Sequence, residues 1–177
     1  ARAHLVTTGL GPVYDGIGHL LMTPEDLIPV VALALYAGLR GSEFGRQTLL
    51  LLPLSCLLGG IVGLTTENLS NLPIHAISFV MLGAIIAADL KLNRWLFSAV
   101  VLIVGMIHGM LNGTALAGSI GLPGLIGILA ALFVIITLVS ALVVSLKQWW
   151  AHIMVRVVGS WIAAVGILMI GWTMKGQ

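Results

Sequence analysis

The chain has 177 residues, of which 59% are apolar and only 8% are charged, with a formal net charge of +2 at pH 7. An ordinary soluble domain carries roughly 25% charged residues and covers its surface with them. The composition therefore excludes a soluble globular domain and predicts an integral membrane protein. With so few charges of either sign, it also indicates no nucleic-acid partner. A single cysteine, Cys56, excludes an intrachain disulfide.

The N-terminal segment begins ARAHLV, and its first three residues have the A-x-A form that signal peptidase recognises. This pattern predicts a removed signal peptide and an N-terminus on the outer side of the membrane. Cleavage falls either before the first residue or after the third, and in the second case His4 begins the mature chain. We expect residues 1–22 to form an outer N-terminal segment, whose amphipathic part, 10–22, lies in the membrane interface or re-enters beside it.

Six apolar runs follow along the chain. Crossing a hydrocarbon core of about 30 Å takes roughly 20 apolar residues in a helix. The runs near this length are 24–40, 47–64, 73–89, 95–112, 122–146 and 153–174. The connections are too short for a soluble domain. The sequence predicts an all-α fold: a polytopic membrane helix bundle of about six transmembrane helices, with residues 1–177 forming a single integral membrane domain.

The cations sort to alternate connections between these runs. The connections 65–72 and 113–121 contain none, whereas the others carry Arg40, Arg46, Lys91, Arg94, Lys147 and Arg156. The positive-inside rule then places the cationic connections in the cytoplasm. We therefore predict a multi-pass protein of the inner (plasma) membrane, with both termini on the outer (periplasmic) side and lipid around it.

Glycines recur at intervals of four residues in two of the runs. Gly59 and Gly63 form one GxxxG pair, and Gly105, Gly109 and Gly113 continue the same spacing over two turns. Such spacing favours close backbone approach between membrane helices. The fourth run, 95–112, is accordingly expected to be central in the bundle.

The stretch HLLMTPED, residues 19–26, has an ordinary explanation for its two acids. Thr23 suits an N-cap and Pro24 the first helical position, while Glu25 and Asp26 complement the helix dipole and resemble a capping box. That explanation leaves His19 unaccounted for. The acids therefore have two readings, as helix-start residues and as part of a site.

Most residues that can ligate a metal fall on the predicted outer side: His4, His19, Glu25, Asp26, Glu67, His75, His108 and Asn112. His108 and Asn112 are four residues apart and so share one helical face. Imidazole and carboxylate together suit a divalent ion such as nickel, cobalt, zinc or copper. Polar groups at membrane depth are costly and are candidates for function.

Each histidine also has a structural reading as a hydrogen-bonding group between helices. For the isolated His75 and His152 this reading is favoured, whereas His19 and His108 are expected to share a metal site between the first and fourth runs. His4 also reads as a solvated loop residue. We retain His19, Glu25, Asp26, His108, Asn112, His75 and His4 as the candidate metal ligands.

The segments GPVYDGIGHLLMTPEDLIPVVALALYAGLRG, HAISFVMLGAIIAA and MIHGMLNGTAL resemble the HupE/UreJ family of small membrane proteins, which are associated with nickel supply to hydrogenase and urease. The family's first motif is a histidine, five residues, and Asp-His. The resemblance places His19 at the first histidine, Glu25 at the aspartate and Asp26 at the second histidine. The later motif is His-Gly-x-Ala-His-Gly-x-Glu, which His108 begins; Asn112 stands at its second histidine and Ala115 at its glutamate.

The resemblance implies a nickel- or cobalt-type permease or metal-binding membrane protein whose site faces outward. The alternative is a non-transporting accessory subunit that has a degenerate metal site and binds other membrane subunits through its glycine-rich helices. No phosphate-binding loop, nucleophile motif or cofactor fingerprint appears, so no enzyme and no cofactor other than a bound divalent metal ion is predicted.

Overall fold

The computed structural model describes residues 7–66, 73–146 and 149–175. Within these ranges the chain forms seven α-helices and no strand. They are α1 (Pro12–Met22), α2 (Pro24–Arg40), α3 (Ser42–Leu64), α4 (Ile74–Ala87), α5 (Arg94–Leu116), α6 (Gly121–Ser145) and α7 (Trp149–Lys175). His4, Glu67 and Lys147 lie outside the described residues.

The predicted apolar runs correspond to α2 through α7, and the all-α fold is confirmed. Four helices, α3, α5, α6 and α7, are long and apolar enough to cross a membrane. A fifth crossing results if α1 and α2, which meet at a bend of 76°, are one broken span. The apolar α4 has only 14 residues. Six crossings therefore stay a prediction, because α2 and α4 are each shorter than a full span.

The middle of the bundle is occupied by α2 rather than by α5. Helix α2 contacts every other helix of the described chain, whereas α5 packs chiefly against α3. The buried face of α2 includes Ala32, Leu33, Ala34 and Ala37, all 1% exposed or less. These small and medium residues allow several neighbours to approach at once. The expectation that the 95–112 run is central was wrong because the glycine pattern identifies a close partner, not the number of partners.

Helices α3 and α5 meet along the predicted glycines. A methyl group on Gly109 would meet backbone atoms of Cys56, and one on Gly113 would meet backbone atoms of Gly60 and Gly63. The close approach expected from the GxxxG spacing is therefore confirmed. This seam fixes the rotation of α5 and so decides which way its polar residues face.

One end of the bundle gathers the charged residues of three connections. Arg40 at the end of α2 pairs with Asp89, and Arg94 at the start of α5 pairs with Glu43. Arg156 of α7 donates to the carbonyl of Ala87 at 3.0 Å. These contacts bring the predicted cationic connections to the same end. His108 lies 14 residues beyond Arg94 on α5, about 21 Å along the helix axis.

Candidate metal site

The break between α1 and α2 brings His19 and Asp26 together. Pro24 disfavours helical geometry at Thr23, which is extended, and α2 starts in a new direction. The bend places Nε2 of His19 3.8 Å from Oδ2 of Asp26. Thr23 takes the predicted N-cap position, but its side chain makes no capping hydrogen bond.

Asp26 points away from its own helix start and toward α5. Its Oδ1 accepts a hydrogen bond from Nδ2 of Asn112 at 3.0 Å and lies 3.7 Å from Nδ1 of His108. Asp26 is 6% exposed, His108 6% and Asn112 3%. The acid at the third helical position is thus part of a buried polar cluster, which the capping reading does not explain.

His108 is held from its other side by α4. Its Nε2 lies 3.0 Å from the hydroxyl of Ser78, which is also buried. Its Nδ1 is buried and has no hydrogen-bond partner, and the same is true of Oδ1 of Asn112. Buried polar atoms without partners are uncommon in folded proteins and call for an explanation.

His75 completes the cluster from the first turn of α4. Asp26, His75 and His108 each offer one ligand atom, and the three atoms lie within 4.8 Å of one another. The rings of His75 and His108 are 5.2 Å apart between centroids. Nε2 of His75 also lies 3.9 Å from a carboxylate oxygen of Glu25. Four helices therefore contribute to one site: α1, α2, α4 and α5.

A cavity of about 20 Å³ adjoins this cluster. Asp26, His108 and Asn112 line it on the side of the site, and Cys56 and Leu33 line it further along the bundle. This volume holds about one water molecule or one ion. The cavity therefore extends the site toward the middle of the bundle.

The electrostatics of the site favour a cation. The ion pairs of Asp26 within the described residues are with His19 and His108, and no Lys or Arg accompanies it. A buried carboxylate needs a counter-charge or strong hydrogen bonds. The unpartnered Nδ1 of His108 supplies a lone pair or a proton beside it. Ligands about 2.1 Å from a metal ion lie roughly 3 to 3.5 Å apart in adjacent positions, so a modest contraction of this cluster would fit one.

The structure brings together six of the seven candidate ligands: His19, Glu25, Asp26, His75, His108 and Asn112. His4 lies outside the described residues. Whether any of them binds a metal stays a prediction. His75 meets both readings proposed for it, because it contacts a neighbouring helix and also joins the cluster.

Sequence reasoning missed Ser78 and Pro29. Ser78 contacts His108 and Pro29 lines the cavity. Ser78 could have been found from its position three residues after His75, since that spacing places both on one face of α4. Pro29 offered only the general signal of a proline inside a helix.

The family model described as HupE / UreJ protein matches residues 1–169, which include every residue of this site. The chain belongs to the HupE/UreJ family. No curated protein and no solved structure matches it significantly. In this HupE/UreJ protein, Asp26 and Asn112 stand at histidine positions of the two motifs described in the sequence analysis. The two side chains are in direct contact at 3.0 Å. The two positions at which a motif histidine is replaced therefore lie side by side in one site.

Proposed function

We propose that this HupE/UreJ protein is a permease for a divalent transition-metal ion of the nickel or cobalt type, which enters from the outer side of the inner membrane. The observation that carries the proposal is the cluster of Asp26, His75 and His108 from three different helices, in which Asp26 and His108 are buried and His75 is partly exposed. Imidazole nitrogen with carboxylate oxygen is the ligand set that borderline divalent ions prefer. His19, Glu25 and Asn112 surround the three ligands and complete the site.

The position of the cluster supports entry from the outer side. It lies toward the end of the bundle opposite Arg40, Arg94 and Arg156, and the positive-inside rule assigns those cations to the cytoplasm. Moving a dication inward across 100 mV releases about 4.6 kcal/mol, twice the value for one charge. The membrane potential is therefore sufficient as a driving force.

Side-chain contacts hold together the end of the bundle opposite the site. The hydroxyl of Tyr36 donates to the carbonyl of Leu90 at 2.7 Å and accepts from the amide of Leu92 at 3.0 Å. Arg40 stacks on the Tyr36 ring and pairs with Asp89. A site near one end of the bundle, with side-chain contacts holding the opposite end together, fits the outward state of an alternating-access cycle.

The alternative is an accessory subunit that binds partners through its glycine-rich helices. This alternative needs the glycine face of α5 to be free. The glycine face of α5 is filled by α3 of the same chain, with backbone contacts at Gly109 and Gly113. A partner subunit would have to use another face. For this reason we prefer the metal function.

Metal binding is tested on protein purified without chelator, by equilibrium dialysis against Ni²⁺ and Co²⁺. Loss of a group that only supports a metal ligand weakens metal binding by roughly 10- to 100-fold. Replacement of a ligand itself should weaken binding by at least as much, and this is the expected result for Asp26→Asn, His75→Gln and His108→Gln. His152→Gln is the control, because His152 is exposed on α7. Equal binding by the wild type and the Asp26/His75/His108 triple variant would refute the site.

Transport is tested separately in proteoliposomes that contain an ion-sensitive chelating dye. An inside-negative potassium diffusion potential should accelerate entry of Ni²⁺ or Co²⁺, and Asp26→Asn should abolish the acceleration. Stoichiometric binding without any entry would favour the accessory-subunit alternative.

A further inference from the structure

Pro29 lies inside α2, one turn after the acids of the site. A proline in a helix has no N–H, so the carbonyl four residues earlier loses its usual partner. Here that carbonyl belongs to Glu25. Its oxygen lies 3.3 Å from Nδ1 of His75 on α4. The oxygen freed by the proline is therefore the one that contacts a histidine of the metal cluster.

This contact selects one form of the His75 ring. A carbonyl oxygen can only accept a hydrogen bond, so Nδ1 must carry the proton when the bond forms. A neutral imidazole has one ring proton, which leaves the lone pair on Nε2. Nε2 is the nitrogen that lies 3.9 Å from the Glu25 carboxylate. Metal-binding histidines commonly have the other nitrogen fixed in this way by a carbonyl or carboxylate.

We propose that Pro29 is a positioning residue: it frees the Glu25 carbonyl to hold Nδ1–H of His75, so that Nε2 is presented to the ion. The assignment deepens the proposed function and depends on it only for the metal readout. An alanine at position 29 would restore an N–H that competes with His75 for the same carbonyl. The His75 ring would then lose both its preferred protonated nitrogen and its orientation.

The first test needs no metal. In protein labelled with ¹⁵N-histidine at alkaline pH, where the imidazoles are neutral, the ring nitrogen shifts report which nitrogen carries the proton. The His75 signals are assigned by their loss in His75→Gln. Wild-type His75 should be protonated at Nδ1, and Pro29→Ala should remove that preference. An unchanged His75 spectrum in Pro29→Ala would overturn the proposal.

The second test is a double-mutant cycle on Co²⁺ affinity. Pro29→Ala should weaken binding about 10-fold, the lower end of the range for outer partners of metal ligands. In the His75→Gln background the same substitution should have no further effect, because Pro29 acts through His75. An equal loss in both backgrounds would show that Pro29 affects the site in some other way and would refute the assignment.

Pro53→Ala is the matched control, since Pro53 also lies inside a helix, α3, and is not a lining residue of the cavity. It should leave Co²⁺ affinity and the His75 spectrum unchanged. A loss of Co²⁺ affinity in Pro29→Ala would not be due to unfolding of α2, because alanine favours an α-helix more than proline does. If the wild type binds no Co²⁺, the proposed function fails, while the ring spectrum still decides the role of Pro29.

Discussion

The seam between α3 and α5 should not tolerate a single added methyl group. In Gly109→Ala the new Cβ would stand 2.7 Å from Cα of Cys56 and 2.8 Å from its carbonyl carbon. Both are backbone atoms and cannot rotate away, so the two helices must separate. Overpacking of this kind typically costs about 1–3 kcal/mol. The gain in helix propensity from glycine to alanine, roughly 1 kcal/mol, offsets only part of this cost.

Two other glycines provide matched controls. At Gly171 in α7 an added Cβ meets nothing within 4 Å, so Gly171→Ala should stabilise the protein by up to about 1 kcal/mol. At the buried Gly45 of α3 the nearest atom is the hydroxyl of Ser140 at 3.5 Å, an ordinary contact. Gly45→Ala should therefore be close to neutral. The expected order of stability is Gly171→Ala, Gly45→Ala and then Gly109→Ala. The first and last should differ by about 1–3 kcal/mol, because both gain helix propensity and only Gly109→Ala is overpacked.

The assay is unfolding in mixed micelles by added SDS, followed by far-ultraviolet circular dichroism. Because Gly109 is adjacent to His108, its substitution should also displace the site and weaken Co²⁺ binding, whereas the Gly171 substitution should not. Equal stability of Gly109→Ala and Gly45→Ala would refute the close backbone approach of α3 and α5. Loss of binding in Gly171→Ala would argue that the assay responds to general perturbation instead.

Three further changes test the site, the inner end and the orientation. Asn112→His should tighten Ni²⁺ and Co²⁺ binding in dialysis, since position 112 contacts Asp26 at 3.0 Å; weaker binding by a folded variant would contradict a ligand role. Tyr36→Phe removes the two hydrogen bonds to the 90–92 connection and should destabilise the protein by about 1–3 kcal/mol in SDS unfolding. In a Cys56→Ala background, a cysteine at position 68 should react with an impermeant thiol reagent from the outer side, while one at position 42 should not. The reverse labelling would invert the proposed direction of entry.

Local sequence patterns were sufficient for much of the fold. The apolar runs predicted α2 through α7, because a helix satisfies its own backbone and needs only about 20 apolar residues to face lipid. The four-residue glycine spacing predicted the α3–α5 contact for a similarly local reason. The pair of His19 and Asp26 was also suggested by the sequence, since only a few residues and one proline separate them.

The completed cluster depended on contacts between distant parts of the chain. His75 was a candidate ligand for which a hydrogen bond between helices was the favoured reading, since nothing near it in sequence identifies the face of α4 that meets α2 and α5. That face is chosen by packing of α4 on α7, where Gly83 and Gly159 allow close approach. The central position of α2 was missed for the same reason.

The sequence by itself determined the membrane class, the helical segments, the sorting of cations and the residue types capable of holding a metal ion. Those properties follow from composition and from a 3.6-residue period, which act within one helix. Only the tertiary structure decided that Asp26, His75 and His108 converge and that the carbonyl freed by Pro29 meets the His75 ring. Such convergence depends on the rotation and partner of each helix, which are set by packing across the whole bundle.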